Sequence, residues 1–117
     1  MSDFEINKAV SMVVDFGDLV CFVNDEREAV YICEVDGAYS MNPVGGFDPC
    51  NNPADAWTII IENKISIMNS DEAWEASIDF NGDLNKHGTD EVLTKHIEDE
   101  NPLRAAMIVF LMMNKGE

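Results

Sequence analysis

Apolar and polar positions along this chain switch between a helical period and a strand period. Ile6, Val10, Val13 and Val14 recur at helical spacing behind Ser2-x-x-Glu5, which has the form of a capping box. A first helix is therefore expected over Asp3–Asp15, with Gly17 as its stop. Leu19–Val23 and Glu28–Val35 are dense in Val, Ile, Phe, Tyr and Cys, and the polar Asn24-Asp25-Glu26-Arg27 between them predicts a β-hairpin. Asp36–Asn52, with Gly37, Pro43, Gly45, Gly46 and Pro49, reads as a long irregular loop, a length often associated with function.

Asn52-Pro53 combines an N-cap residue with proline at the first helical position. In the helix that follows, Asp55, Thr58 and Glu62 share one narrow wet stripe, and Ala56, Trp57, Ile59, Ile60 and Ile61 cover the rest. Lys64–Met68 and Ala73–Phe80 alternate with period two and predict a second hairpin. Asn81–Thr89 reads as a polar loop and Asp90–Glu98 as a short helix. Asn101-Pro102 repeats the cap-plus-proline signal before Leu103–Met113, apolar on nearly every side except Arg104. Such a helix is either central to a core or part of a subunit interface. The order predicts one α+β domain over residues 1–117: an antiparallel sheet built from two β-hairpins, with helices packed on it.

Charge changes this picture most. Twenty-three acids face seven bases in 117 residues, a formal net charge of −16, while the 46% hydrophobic content is that of a globular chain. Nucleic-acid affinity comes largely from Lys and Arg neutralising phosphates, so direct nucleic-acid binding is disfavoured, and so is the anionic membrane surface. A basic protein is the electrostatically favoured partner. Solubility alone is the simpler use of such a charge. The N-terminal MSDFEINKAV has neither a basic nor an apolar signal-peptide region, and the apolar run Ala105–Met113 is too short to span a bilayer. Cys21, Cys33 and Cys50 are odd in number and show no CxxC spacing, which fits a reducing cytoplasm.

Candidate chemistry is sparse. Phe47, Asp48, Cys50, Asn51 and Asn52 feed the helix that carries Trp57, and the positive end of that helix would favour an anion and lower the Cys50 pKa. The simpler reading is that Asn52 caps the helix and Phe47 fills the core, since no His lies near Cys50 in sequence to act as base. Asp79-x-Asn81-x-Asp83-x-Asn85, with Asp90 twelfth, has calcium-loop spacing, but Leu84 stands where the turn needs Gly. His87 and His96 have no ligand-spaced partners. No catalytic constellation, cofactor motif or metal set is expected.

Three segments resemble a known family. Phe47-Asp48-Pro49-Cys50-Asn51-Asn52 with Ile59-Ile60 and Ile65, then Trp74-x-Ala76, then Pro102-Leu103-x-Ala105-Ala106-Met107 with Phe110, resemble in order and spacing the motifs of the NinX-like phage proteins. The resemblance covers roughly Phe47–Gly116. It implies a phage or prophage accessory protein expressed in the bacterial host cytoplasm, and little chemistry.

Charge and resemblance together point to a non-enzymatic binder. Its acids, with Asp25, Glu26, Asp55, Glu62, Glu98, Asp99 and Glu100 the candidates, would occupy the basic surface of a host nucleic-acid-binding or defence protein as a mimic of phosphate charge. Two alternatives stand beside it. One is a small-ligand-binding or enzymatic protein with a pocket at the loop and helix start over residues 47–57. The other is a homo-oligomer through the 102–113 helix.

Overall fold

The computed structural model describes residues 1–36, 40–80 and 93–115. Helix α1 spans Asp3–Ser11 and opens on the expected capping box. The Glu5 amide donates to Ser2 Oγ at 3.1 Å and the Ser2 amide to Glu5 Oε1 at 2.8 Å. These bonds hold the Glu5 carboxyl below its usual range. The helix ends four residues earlier than its apolar spacing suggests. Ser11 Oγ turns back onto the Lys8 carbonyl at 2.7 Å, and the Met12 and Val13 amides bond three residues back, tightening the last turn just before the β-branched Val13-Val14 pair. Gly17 then takes φ +69° while its amide donates to Asp15 Oδ1.

Strands β1 (Val20–Asn24) and β2 (Ala29–Val35) form the first expected hairpin, with Asn24 opposite Ala29. A third strand, β3 (Met41–Gly46), pairs antiparallel with β2 inside the stretch expected to be irregular. Its register shifts between Ile32 and Cys33, and Pro43 fits because β3 is the edge of the sheet β1-β2-β3. Every residue of β3 is exposed, so no apolar alternation announces it.

Helix α2 (Pro53–Glu62) starts as the cap signal predicts, the Ala54 amide donating to Asn52 Oδ1 at 3.0 Å. Strands β4 (Ser66–Asn69) and β5 (Trp74–Phe80) make the second hairpin. Residues Leu93–Asp99 form strand β6, paired with β5, where a helix over Asp90–Glu98 was expected. Leu93 and Ile97 are the cause: apolar residues four apart fit both periods, and pairing with β5 decides between them. The two hairpins therefore do not share one sheet. Each gains its own third strand, giving β1-β2-β3 and β4-β5-β6.

Helix α3 (Pro102–Lys115) joins the parts. It packs on β5 and β6, and on α1, α2 and β4, while α1 also contacts β2. Ala105, Ala106, Met107 and Val109 are fully buried against Ile6, Val10, Ala56, Ile59, Ile60, Ala76 and Ile78. Much of the apolar surface of α3 is thus buried in the chain's own core, while Leu103, Ile108, Met112 and Met113 are half-buried. The architecture is α+β: three helices and two three-stranded antiparallel sheets among the described residues. The calcium-like spacing from Asn81 to Asp90, the expected loop Asn81–Thr89 and His87 lie outside those residues. Among them no helix is long and apolar enough to cross a membrane.

Candidate functional site

The loop after β3 is tied on three sides. Asn7 of α1 donates through Nδ2 to Asp48 Oδ1 at 2.7 Å and accepts the Cys50 amide on Oδ1 at 3.2 Å. The Asp48 amide donates to Asp55 Oδ2 of α2 at 2.9 Å. Asn101, just before α3, donates to the Cys50 carbonyl at 2.6 Å and accepts the Leu103 amide on its other side-chain atom. Asn51 Nδ2 bridges the carboxylates of Asp48 and Asp3. The polar side chains of this loop thus take part in hydrogen bonds that link three helices. Phe47 is buried and meets Phe16 edge-to-face, ring centres 5.1 Å apart.

Cys50 shows the electrostatic consequence. It is fully buried, and its thiol is pushed up to about 12, chiefly by burial and then by the carboxylates of Asp3 and Asp48. The helix-end effect expected to lower it is outweighed. Cys50 is a packed neutral thiol, without the thiolate a nucleophile needs. Trp57 lies apart from this loop, 62% exposed on α2 beside the exposed Ile61.

A cleft of about 470 Å³ opens next to the loop, between the segment after α1, β2, α2 and α3. Of the loop and helix-start residues nominated from sequence, Phe47 and Asp55 line it. Phe16, Ile59 and Phe110 form its apolar part; Asp15, Thr58, Glu62, Asn63 and Asn114 supply polar groups. The wet stripe Asp55–Thr58–Glu62 was the one visible signal for this wall. Among the described residues no three His, Cys, Asp or Glu side chains converge as metal ligands.

The seven nominated acids occupy three parts of the fold. Asp25 and Glu26 are exposed at the β1–β2 turn, where Lys8 Nζ reaches Asp25 at 3.2 Å. Asp55 and Glu62 flank the cleft. Glu98 and Asp99 end β6 and Glu100 follows them, ahead of α3. Asp99 is partly buried and held by Arg104 Nε at 3.1 Å, whereas Glu98 and Glu100 are exposed. Glu100 shares a hollow with Asp71, Glu72 and Trp74. Sequence reasoning missed Glu75, which stands directly opposite Glu98 across β5 and β6. Neither carboxylate has a hydrogen-bond or ion-pair partner among the described residues.

No curated protein and no solved structure matches the chain. The family model of Bacteriophage P22, NinX, matches residues 1–114, taking in the N-terminal portion where no motif was visible. Most positions that carry the family resemblance are buried: Phe47, Pro49, Cys50, Ile59, Ile60, Ile65, Ala76, Ala105, Ala106, Met107 and Phe110 all lie in the interior. The shared pattern is thus one of packing, and on the match over nearly its whole length the chain belongs to the NinX family of phage accessory proteins.

Proposed function

We propose that this chain is a non-enzymatic binder that engages a basic host protein, one that handles nucleic acid or serves in defence, and inhibits it by occupying its phosphate-binding surface. The observation that carries the reading is the Glu75–Glu98 pair. Like charges directly opposite on neighbouring strands destabilise a sheet, and no cation among the described residues offsets this one. Charge placed at a cost to stability marks a candidate site for an external partner. The neighbouring Glu100, Asp71 and Glu72 extend the same negative corner. The remaining acids raise the long-range field that steers a basic partner. Cys50, the nucleophile candidate, is held as a neutral thiol, which favours binding over covalent chemistry.

Affinity capture from bacterial lysate tests the reading. At low salt the immobilised chain retains a basic nucleic-acid-binding protein, and raised salt or competing duplex DNA releases it, because exposed charges are screened within about 8 Å at physiological ionic strength. A variant carrying Glu98→Lys and Glu100→Lys retains less of it. Recovery of nothing at low salt, or retention indifferent to salt and DNA, overturns the reading.

A further inference from the structure

The cleft has a composition that selects its occupant. Its volume, about 470 Å³, lies within the range of small-molecule and side-chain pockets. Half-buried Phe16 offers an accessible aromatic ring, Phe47 and Phe110 being almost wholly buried, and the carboxylates of Asp15, Asp55 and Glu62 stand around the cleft. No Lys, Arg or His lines it among the described residues.

Two of these carboxylates are held in place by the backbone. Asp55 Oδ2 accepts the Asp48 amide at 2.9 Å and Asp15 Oδ1 accepts the Gly17 amide at 2.8 Å, so each keeps a second oxygen for a ligand. The three do not converge as metal ligands do. Carboxylates spread around an apolar cleft with one accessible ring suit an elongated cation whose apolar stem lies on that lining while its head reaches the rim. Arginine meets this description best: its guanidinium stacks on aromatic faces and donates to carboxylates in a planar fork.

We infer that the cleft between the segment after α1, β2, α2 and α3 receives an arginine side chain of the basic protein partner, anchoring the complex that the acidic corner at Glu98–Glu100 helps to attract. This rests on the proposed binding to a basic partner and names where that partner is gripped. Charge complementarity identifies the occupant; a second copy of a chain this acidic has the wrong sign.

The test titrates the isotope-labelled full chain with acetyl-Leu-Arg-amide, with acetyl-Leu-Gln-amide as the uncharged control, and follows backbone amide resonances. Saturable shifts at Asp15, Thr58 and Asn114 with the arginine probe alone are the expected result. Asp55→Asn keeps an acceptor for the Asp48 amide while removing the charge, and Glu62 makes no hydrogen bond among the described residues, so Asp55→Asn and Glu62→Gln both preserve the fold. Together they weaken the arginine probe by about tenfold, the scale of a lost charge-assisted hydrogen bond. Shifts equal to those of the glutamine control, shifts that map to the 98–100 corner, or unchanged affinity in the double variant overturn the assignment. Capture of a basic protein at low salt that D55N/E62Q leaves unaltered also overturns it while the functional reading stands. Failure of the wild-type chain to capture any such protein removes the functional reading itself.

Discussion

Arg104 Nη1 donates to Asp3 Oδ1 at 2.6 Å, joining the first turn of α3 to the first turn of α1 across 101 positions of sequence. The same guanidinium donates through Nε to Asp99 Oδ2 at 3.1 Å and through Nη2 to the Met1 carbonyl. Burial opposes the charge, but the bonds to Asp3 and Asp99 outweigh it and hold Arg104 above its ordinary pKa. One cation thus fastens the N-terminus, the end of β6 and the start of α3.

Replacing this fork loosens all three at once. Arg104→Met is expected to cost about 1–2 kcal/mol, a figure discounted because Asp3 is substantially exposed to solvent. Arg104→Lys recovers less than half of that loss, since one ammonium cannot reproduce three directed contacts. Urea midpoints of the three proteins measure the order, and equal stability of the wild-type chain and the Arg104→Lys variant would show that geometry is irrelevant.

Asn7 answers to two groups of the loop. Its Nδ2 serves Asp48 and its Oδ1 serves the Cys50 amide, with the side chain buried. Asn7→Ala leaves both without their partner and costs about 2–3 kcal/mol in unfolding free energy. Asn7→Asp preserves shape but sets a carboxylate against Asp48, so it destabilises further at neutral pH and recovers on acidification. A pH-independent difference between the two variants would contradict this account of the loop.

The Cys50 thiol gives a signature at alkaline pH. An ordinary cysteine has a value of 9.0, and burial raises this one to about 12. Between those values the unfolded chain has released the proton and the native chain still holds it, so native stability falls as pH rises through that window. Cys50→Ala removes this part of the pH dependence while leaving a small void. In mass-spectrometric alkylation under native conditions, half-buried Cys21 reacts ahead of Cys50, and Cys50 reacts only once the chain unfolds.

Much of the framework was readable because short-range rules and tertiary packing agree. Asn52-Pro53 and Asn101-Pro102 mark the starts of α2 and α3, and Ser2-x-x-Glu5 marks α1. Strand β3 was hidden because all six of its residues are exposed, and β6 because Leu93 and Ile97 satisfy two periods equally. On α2, nothing local separates buried Ile59 and Ile60 from exposed Trp57 and Ile61; contact with α3 makes that division. The cleft was half legible. Its α2 wall appears as a polar stripe, but Phe16, Phe110 and Asn114 join it only through folding. The pKa of Cys50 was misjudged because proximity to a helix start is visible in sequence, whereas burial among carboxylates is not.

Opposed glutamates offer the sharpest separation of stability from function. Glu98 faces Glu75 across the β5–β6 ladder, with Glu98 exposed. Glu98→Lys converts repulsion into attraction and is expected to stabilise the chain by about 0.5–1 kcal/mol. Glu75→Lys acts similarly, and the double variant, two lysines in opposition, returns near the starting stability, as measured by urea midpoints. If the pair exists for an external cation, the same Glu98→Lys change weakens low-salt retention of the basic partner while the fold becomes more stable. Retention that rises or stays level with stability would mean that this corner carries its charge for solubility alone.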